Sequence, residues 1–519
     1  MQERPQRLLH DGLRASAERS PAKTAVVVEG VPHTYAELSD SARRLAHALQ
    51  QRGVQRGDRV AVYMDNTWPC VVSVFAVLLA GGVFLVINPQ TKPDKLEFIL
   101  RDSDARLLLT DAHLAGVFMT VLPRLEQPIA VICSGKLPPA QGAPVESYDD
   151  VLRSSPPLAD PVPSIALDLA ALIYTSGSTG DPKGVMQTHQ SMVFAAESLI
   201  EYLRLSEDHR LLCVLPLAFD YGLYQLLMAV RLGATLVLER SFTYAAAVMQ
   251  RMREHNVTVF PGVPTIFAML LSAHGREKLC FPSITRVTNT AAALPDDYVP
   301  KLREIFPNAL IYKMYGLTEC KRVCYLEPEL VDAKPGSVGK AIPGTEVFLL
   351  SPEGQPVPAG EVGILHVRGP HVMLGYWKRP DLSAQMLKPG RLPGERVLCT
   401  HDHFRMDREG FLFFVGRSDD IIKTRGEKVS PVEVENVLHG IDGIREAAVV
   451  GVPDELLGQA VRAYVVLEPG TALDEKKIRA RCLARLENFM VPRDIVICQA
   501  LPKTATGKIS KRALLQQTA

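Results

Sequence analysis

The first four hundred residues alternate between segments with helical spacing of apolar positions and short segments that are apolar throughout. The residues after Thr34, YAELSDSARRLAHALQQRG, have helical spacing; Thr34 can cap this helix and Gly53 can end it. The apolar segments predict buried strands and lie at 59–64, 169–174, 235–239 and 257–262. This alternation predicts α/β layers with parallel strands.

One uncharged stretch raises the question of a membrane span. Cys70 to Asn88 carries no charged residue and is almost long enough to cross a bilayer. However, Gly81 and Gly82 divide it into a helix-length piece and a strand-like piece that ends at Pro89. We therefore predict a buried helix, a turn and a buried strand, and no membrane span.

The amino-acid composition of the sequence changes twice in the last part of the chain. From about residue 336 the chain is dense in Gly, Pro and β-forming residues, which predicts a β-rich subdomain over 336–418. A charged segment, an apolar segment and a helical run follow, which predicts a small α+β domain over 419–519. The predicted fold class is α/β, with a large N-terminal domain of layered subdomains over 1–418 and a small, mobile C-terminal domain.

Composition narrows the classes of function. The 519 residues are 47% hydrophobic and 22% charged, as in an ordinary globular protein. Lys and Arg number 58 against 57 Asp and Glu, and this balance gives no support to a nucleic-acid or membrane-surface role. The nine cysteines form no CxxC pair and no secretory signal is visible, so we expect reduced thiols in a cytoplasmic protein. Cys320 and Cys324 could form one edge of a metal site, but packing is the simpler interpretation because no second ligand pair follows.

The run YTSGSTGDPKG at 174–184 has neither helical nor strand periodicity and predicts a loop after a buried strand. Glycines let backbone N–H groups approach phosphate oxygens, Ser and Thr add donors, and Lys183 adds positive charge. The run therefore predicts a phosphate-binding loop. It matches neither the GxxxxGK[ST] pattern nor the GxGxxG pattern.

Further motifs follow this loop in order. They are AAALP (291–295), YGLTE (315–319), GEVGILHVRGPHVMLGYW (360–377), THD (400–402), GRSDDIIKTRGEKVSP (416–431) and PKTATGKISKR (502–512). The set covers nearly the whole chain and resembles the adenylate-forming superfamily, which contains acyl-CoA synthetases, amino-acid adenylation domains and luciferases. The resemblance implies an AMP-forming ligase: a carboxylate attacks the α-phosphorus of ATP, acyl-AMP and pyrophosphate form, and a thiol then takes the acyl group.

The resemblance also implies a role for each matching residue. Residues implied to bind ATP are Thr175, Ser176, Gly177, Ser178, Thr179, Gly180, Lys183, Ala291, Ala292, Ala293, Tyr315, Gly316, Asp402 and Arg417. Glu319 is expected to hold Mg²⁺, with Thr318 beside it on the α-phosphate. Lys508 is expected to reach the α-phosphate and the substrate carboxylate, because two anions must be brought together.

Two further positions concern the second half-reaction. Asp419 matches the hinge about which the C-terminal domain rotates, and Gly426 matches the position that leaves room for a pantetheine arm. One departure from the family pattern is His401, which stands where Gly is usual in the THD motif. His401 and His403 could hold a metal, but a loop side chain is the simpler interpretation, and the Asp402 carboxylate is retained.

The segment LPLAFDYGLYQLL (215–227) occupies the acyl-pocket motif. Amino-acid adenylation domains carry Asp after the aromatic residue, where it pairs with the substrate ammonium, whereas many aryl- and acyl-CoA synthetases carry His. A buried carboxylate requires a cation, so Asp220 favours an amino-acid substrate; the alternative is that Asp220 caps the following helix. The implied pocket residues, compact enough for a small cyclic acid, are Asp220, Tyr221, Tyr224, Pro261, Thr290, Met314 and Val323.

The segments TECKRVCYLEPE and PGERVLCTHDHFRMD are similar to stand-alone ligases that load L-proline onto a carrier protein. This predicts activation of L-proline and transfer to the phosphopantetheine of a separate carrier protein. The alternative is an acyl-CoA synthetase that transfers a medium-chain or other aliphatic acid to free CoA. A non-catalytic relative is expected to lack Lys508 or Glu319, and both are present. Lys321 and Arg322 leave three options open: they bind an acidic substrate, pair with Asp220 and so cancel the ammonium argument, or face solvent.

Overall fold

The computed structural model describes residues 6–137, 145–175, 182–417, 420–424, 427–454, 458–486, 488–504 and 507–516. The chain divides into two compact units. Unit 1 contains residues up to Phe260 together with 318–321 and 369–396. Unit 2 contains residues 261–317, 322–368 and those from Val397 onward.

The helices of the described residues are α1 (Leu9–Arg19), α2 (Tyr35–Gln51), α3 (Trp68–Leu79), α4 (Pro93–Asp102), α5 (Ala115–Val121), α6 (Tyr148–Ser154), α7 (His189–Tyr202), α8 (Asp220–Leu232), α9 (Ala245–Glu254), α10 (Pro264–Arg276), α11 (Tyr298–Ile305), α12 (Pro380–Met386), α13 (Pro431–His439), α14 (Glu475–Leu483) and α15 (Lys511–Gln516). Short 3-10 turns occupy Ala112–Leu114, Leu122–Arg124 and Pro328–Leu330.

The strands of the described residues are β1 (Thr24–Val28), β2 (Val31–Thr34), β3 (Arg59–Tyr63), β4 (Val83–Ile87), β5 (Ala105–Asp111), β6 (Ala130–Ser134), β7 (Val145–Ser147), β8 (Leu169–Thr175), β9 (Lys183–Thr188), β10 (Arg210–Cys213), β11 (Thr235–Leu238), β12 (Val259–Gly262), β13 (Arg286–Asn289), β14 (Leu310–Tyr315), β15 (Cys324–Leu326), β16 (Ser337–Ala341), β17 (Glu346–Leu350), β18 (Val362–Arg368), β19 (Gly375–Tyr376), β20 (Leu387–Pro389), β21 (Arg396–Met406), β22 (Leu412–Arg417), β23 (Ile422–Thr424), β24 (Glu427–Val429), β25 (Ile444–Asp454), β26 (Gly458–Leu467) and β27 (Asp494–Cys498).

Unit 1 is built on a sheet with the strand order β19-β9-β8-β4-β3-β5-β6-β7. The pairs from β8 to β7 are parallel, and β9 joins β8 and β19 in antiparallel fashion. A second parallel set, β10-β11-β1, ends on the antiparallel strand β2. These parallel strands are apolar because helices cover both faces of such sheets. The predicted strands are therefore confirmed, although β12 begins at Val259 rather than at 257.

The uncharged stretch from Cys70 to Asn88 folds as its glycines predict. It forms most of α3, a turn at Gly81 with a φ of 77°, and the buried strand β4. Every residue of α3 from Cys70 to Leu79 is buried. None of the helices in the described ranges combines the length and the apolarity that crossing a membrane requires.

Unit 2 contains the parallel pair β13 and β14, followed by antiparallel strands in the order β14-β15-β16-β22-β21-β18-β17. The segment predicted to be β-rich therefore consists mainly of strands, while its bounds as a subdomain, 336–418, stay a prediction. Near the chain end, β24-β23-β26-β25 form a smaller sheet, with β27 beside β26. Its apolar face packs on α13 and α14 through Val434, Leu438, Ile478 and Cys482. The mixed α/β architecture is confirmed, while a domain boundary at residue 418 stays a prediction.

Candidate active site

Thr318 and Glu319 are fixed in unit 1 by contacts from other segments of that unit. The Gln187 Nε2 amide donates to the Thr318 carbonyl oxygen at 3.2 Å, and the Met373 N–H donates to the Glu319 carbonyl oxygen at 2.8 Å. The Tyr376 hydroxyl donates to Glu319 Oε1 at 2.6 Å. Both the backbone and the carboxylate of Glu319 are therefore held in place.

The lysine of the predicted phosphate loop comes close to the same group. Thr175 ends β8 and Lys183 begins β9, and these two residues are partners in the antiparallel ladder. The two ends of the sequence 174–184 therefore belong to strands: Tyr174 and Thr175 to β8, and Lys183 and Gly184 to β9. Lys183 Nζ lies 5.6 Å from the centre of the Tyr376 ring, whose hydroxyl holds Glu319. Lys183 and Glu319, which are far apart in sequence, thus both lie next to Tyr376.

Tyr376 lies within the motif over 360–377, but no role was predicted for it from the sequence. Burial, and then the Glu319 carboxylate, raise the pKa of its phenol above the ordinary value. The phenol therefore stays protonated at neutral pH and remains a hydrogen-bond donor to Glu319. The signal that could have identified it is the GYW sequence at the end of the motif over 360–377.

Asp402 is the centre of a second group, which lies in unit 2. The Tyr315 hydroxyl donates to Asp402 Oδ2 at 2.5 Å, and Arg417 Nε lies 3.6 Å from Asp402 Oδ1. Asp402 and Arg417 are partners across β21 and β22, which explains why these residues meet. The Tyr315 ring packs edge-on against Phe404 with 4.8 Å between ring centres. A carboxylate in such a setting is suited to accept hydrogen bonds from a diol.

The AAALP segment follows β13, and Gly316 follows β14. Because these strands are parallel, the two segments lie at the same edge of the sheet. Ala292 and Ala293 are exposed there, and Ala291 has a φ of 76°, in the left-handed region. The backbone beside the predicted adenine position therefore takes a conformation that normally favours glycine.

Lys508 lies in a short turn near the end of the chain. The Thr504 N–H donates to the Lys508 carbonyl oxygen at 2.7 Å, and the Lys508 N–H donates to Thr504 Oγ1 at 3.2 Å. A Cβ added to Gly507 would come within 3.2 Å of Thr265 Oγ1, in the first turn of α10. The turn that carries Lys508 therefore lies against the start of α10, shortly after the predicted pocket residue Pro261.

Several predicted site residues lie outside the described residues. They are Ser176, Gly177, Ser178, Thr179 and Gly180 of the phosphate loop, the hinge residue Asp419 and the pantetheine position Gly426. Their predicted roles stay predictions.

Asp220 has a counter-ion within the protein. Lys321 Nζ donates to Asp220 Oδ1 at 2.8 Å, and the two side chains are 1% and 8% exposed respectively. The ammonium also lies 5.9 Å from the centre of the Tyr224 ring. All three residues belong to unit 1.

This ion pair decides between the options left open for Lys321. The interpretation of Asp220 as a group that requires a substrate ammonium loses its basis, because Lys321 supplies the cation that a buried carboxylate requires. Asp220 is also not the helix cap: it is the first residue of α8, and the N-cap position is Phe219.

The other predicted pocket residues are buried. Tyr221 and Tyr224 lie on α8 in unit 1, while the predicted pocket residues of unit 2 are Pro261, Thr290, Met314 and Val323. Arg322, the second cation that the sequence left unexplained, is 5% exposed and does not face solvent.

The metal sites considered from sequence are not formed in the described parts of the chain. Neither the Cys320 and Cys324 pair nor the His401 and His403 pair belongs to a group of three close ligands there. Cys320 and Cys324 are buried instead. His401 is exposed, and its φ of 57° explains why glycine is usual at this position.

Cys399 is a further unusual group near Asp402. It is the cross-strand partner of His366, and its Sγ lies 3.9 Å from His401 Nδ1. Burial alone raises the pKa of the Cys399 thiol, but hydrogen bonds with His366 and His401 outweigh it and lower the pKa to about 6. No sequence motif signalled this arrangement.

Two models of known protein families match this chain. The family model described as "AMP-binding enzyme" matches residues 13–377, and that of the "AMP-binding enzyme C-terminal domain" matches 433–508. The chain belongs to the AMP-binding enzymes. It is therefore an AMP-forming acid–thiol ligase of the adenylate-forming superfamily, which activates an acid as the acyl-AMP and converts it to a thioester.

Curated relatives of this AMP-binding enzyme align over almost its whole length. A long-chain-fatty-acid–CoA ligase of Bacillus subtilis is 32% identical over 99% of this chain and 95% of its own. A feruloyl-CoA synthase of Amycolatopsis is 33% identical over 95% and 96%. A linear gramicidin synthase polypeptide of Brevibacillus parabrevis is 30% identical over 98% of this chain but only 6% of its own.

Solved structures agree with this assignment. The anthranilate CoA ligase AuaEII in complex with anthranoyl-AMP has a TM-score of 0.90 and 29% identity, covering 99% of this chain and 97% of its own. ATP-bound MatB of Rhodopseudomonas palustris has a TM-score of 0.88 and 26% identity, covering 98% of both chains. The AMP-binding enzyme described here thus shares its fold with enzymes captured with ATP and with an acyl-adenylate.

Proposed function

We propose that this AMP-binding enzyme is an acyl-CoA ligase that activates a carboxylic acid without an amino group and transfers it to free CoA. The observation that carries the choice of acid is the Asp220–Lys321 pair, in which the carboxylate already has its cation. The choice of CoA is supported by two relatives that align with this chain over almost their whole length, one named a CoA ligase and the other a CoA synthase.

Each of the charged groups described above has a chemical role in the proposed reaction. The acid's carboxylate oxygen bonds to the α-phosphorus of ATP as the bond to the pyrophosphate oxygen breaks, so positive groups must offset the repulsion between anions. Lys183 is suited to hold the departing phosphates and Lys508 to hold the reacting carboxylate. Asp402, with Tyr315 and Arg417 beside it, is suited to hold the ribose hydroxyls.

Glu319 fits a Mg²⁺ site by its chemistry. Carboxylate oxygens are hard donors that Mg²⁺ prefers, and the hydrogen bond from Tyr376 orients this carboxylate. When bound, Mg²⁺ neutralises charge on the phosphates. Thr318 is held beside Glu319 by the bond from Gln187 and is suited to contact the α-phosphate.

An amino-acid-activating enzyme that loads a carrier protein is the second candidate. It is favoured by the similarity to one segment of the linear gramicidin synthase. L-Proline and the phosphopantetheine of a separate carrier protein remain the specific substrates of this candidate. Its weakness is that the carboxylate expected to bind the ammonium is already paired with Lys321.

A pyrophosphate-exchange screen separates the two candidates. The enzyme is incubated with ATP, Mg²⁺ and labelled pyrophosphate against aliphatic acids, aryl acids and the common amino acids including L-proline. We expect exchange with at least one acid that lacks an amino group, and formation of its CoA thioester when CoA is added. Exchange with L-proline alone, and no thioester with CoA, would overturn the proposed function in favour of the second candidate.

A further inference from the structure

The Asp220–Lys321 pair lies close to the reacting groups along the chain. Lys321 comes two residues after Glu319, in the segment 318–321 that belongs to unit 1. Its backbone has a φ of 64°, in the left-handed region, which a lysine seldom adopts. Asp220 opens α8, so the positive end of this helix also favours its carboxylate. The Asp220 carboxylate therefore has two positive neighbours, the Lys321 ammonium and the start of α8, and Lys321 lies in the same short segment as Glu319.

The charges of the pair are balanced within the protein. One buried carboxylate faces one buried ammonium at 2.8 Å, and the aromatic ring of Tyr224 lies beside the ammonium. A second ammonium brought to this place by a substrate would add an uncompensated positive charge in a poorly solvated region. Burying an unpaired charge is strongly unfavourable, so an amine is rejected while a neutral acyl chain is not.

We propose that Lys321 is a specificity-determining residue, an internal ammonium that occupies Asp220 and so excludes substrates that carry an ammonium group. This inference rests on the proposed function, because it explains how an acid–CoA ligase can retain an aspartate at this position. It assigns specificity to Lys321, which is not among the pocket residues that the resemblance implies.

The test is the Lys321→Met variant, which keeps the approximate length of the side chain and removes its charge. We expect the ratio of L-proline- or L-alanine-dependent to acid-dependent pyrophosphate exchange to rise at least about tenfold, because an unpaired carboxylate becomes available to the substrate ammonium. The matched control is the double variant Lys321→Met, Asp220→Asn, which has no carboxylate and should show no such rise. An unchanged ratio in a folded Lys321→Met protein overturns the inference.

A second measurement does not depend on finding the substrate. Removing Lys321 alone leaves a buried charge unpaired, so Lys321→Ala should melt at a lower temperature than the wild type. Adding n-butylammonium chloride should raise that melting temperature more than adding tetramethylammonium chloride, because only the primary ammonium can donate hydrogen bonds to Asp220. No difference between the two salts would overturn the inference. Failure of the wild type to activate any simple acid would instead contradict the proposed function and leave this readout intact.

Discussion

At the residue scale, two buried aspartates show how the surroundings of a carboxylate determine its charge. Asp220 has the Lys321 ammonium at 2.8 Å. Asp111, which is 5% exposed, accepts a hydrogen bond from the Asp65 N–H at 3.0 Å but also lies near the Asp65 carboxylate. Burial is the largest cause that raises the pKa of Asp111 to about 6. Asp220 thus has a positive partner within the protein, whereas burial raises the affinity of Asp111 for a proton.

The raised pKa of Asp111 predicts a pH-dependent stability. Because the folded pKa of about 6 lies above the unfolded value, the folded state binds the proton more tightly, and the free energy of unfolding falls as pH rises from about 4 to about 6. Asp111→Asn removes this titration. We expect its stability relative to the wild type to improve by about 1–3 kcal/mol between pH 4 and pH 7.

Urea denaturation in EDTA over this pH range checks the effect of Asp111→Asn. The matched control is Asp208→Asn, which removes a carboxylate from the exposed surface and so tests whether the pH-dependent difference requires burial. A difference for Asp111→Asn that does not change with pH would contradict the assigned cause.

At the element scale, α2 shows how a local signal sets a helix boundary. Thr34 Oγ1 accepts a hydrogen bond from the Glu37 N–H, and the Glu37 carboxylate accepts one from the Thr34 N–H at 2.6 Å. The predicted cap is therefore confirmed as a reciprocal capping box. The predicted stop is confirmed too, since α2 ends at Gln51 and Gly53 has a φ of 81°. Leu45 and Leu49 then bury the apolar face of the helix.

Removing this cap should lower the stability of unit 1. Thr34→Ala leaves the first N–H groups of α2 without their side-chain acceptor, so we expect the free energy of unfolding to fall by about 1 kcal/mol. Thr34→Ser keeps the hydroxyl and is expected to stay within about 0.5 kcal/mol of the wild type. Equilibrium chemical denaturation measures both, and equal losses for the two variants would show that the methyl group, not the cap, matters.

At the scale of the whole molecule, the order of motifs predicts most of the architecture and, through a resemblance, the positions of the candidate site residues. Buried strands are predictable because they are apolar throughout, and the roles of Glu319 and Asp402 follow from a resemblance. The contact between Tyr376 and Glu319 was not predictable, because residues far apart in sequence meet only through the pairing of β19 with β9. The Asp220–Lys321 pair was foreseen as one option, but sequence spacing alone could not select it.

The two half-reactions of the enzyme should respond differently to one variant. Lys508→Ala is expected to reduce acyl-AMP formation at least about a hundredfold, because the positive charge at the reacting carboxylate is lost. Transfer from preformed acyl-AMP to CoA should be spared, since the thiol then attacks the acyl carbonyl carbon and the free carboxylate that Lys508 is expected to hold is gone. Pyrophosphate exchange measures the first step, and thioester formation from synthetic acyl-AMP measures the second.

The matched control for this experiment is Lys503→Ala. Lys503 is a nearby lysine whose Nζ pairs with Glu446 at 3.1 Å, and its removal should alter neither step by more than about twofold. Equal loss of both steps in Lys508→Ala would contradict the assigned role. Rotation of the C-terminal domain about Asp419 stays a prediction that this comparison of half-reactions also addresses.

The buried pair of Asp220 and Lys321 also constrains how such an enzyme can change over evolutionary time. Loss of either partner leaves one buried charge alone, which typically costs about 3–5 kcal/mol, whereas loss of both together is often nearly neutral. Single substitutions at these positions therefore lead through unstable ancestors. With the specificity role proposed for Lys321, ligases that activate amino acids and ligases that activate acids without an ammonium group are separated by a barrier of stability, which a first stabilising change elsewhere in the fold lowers.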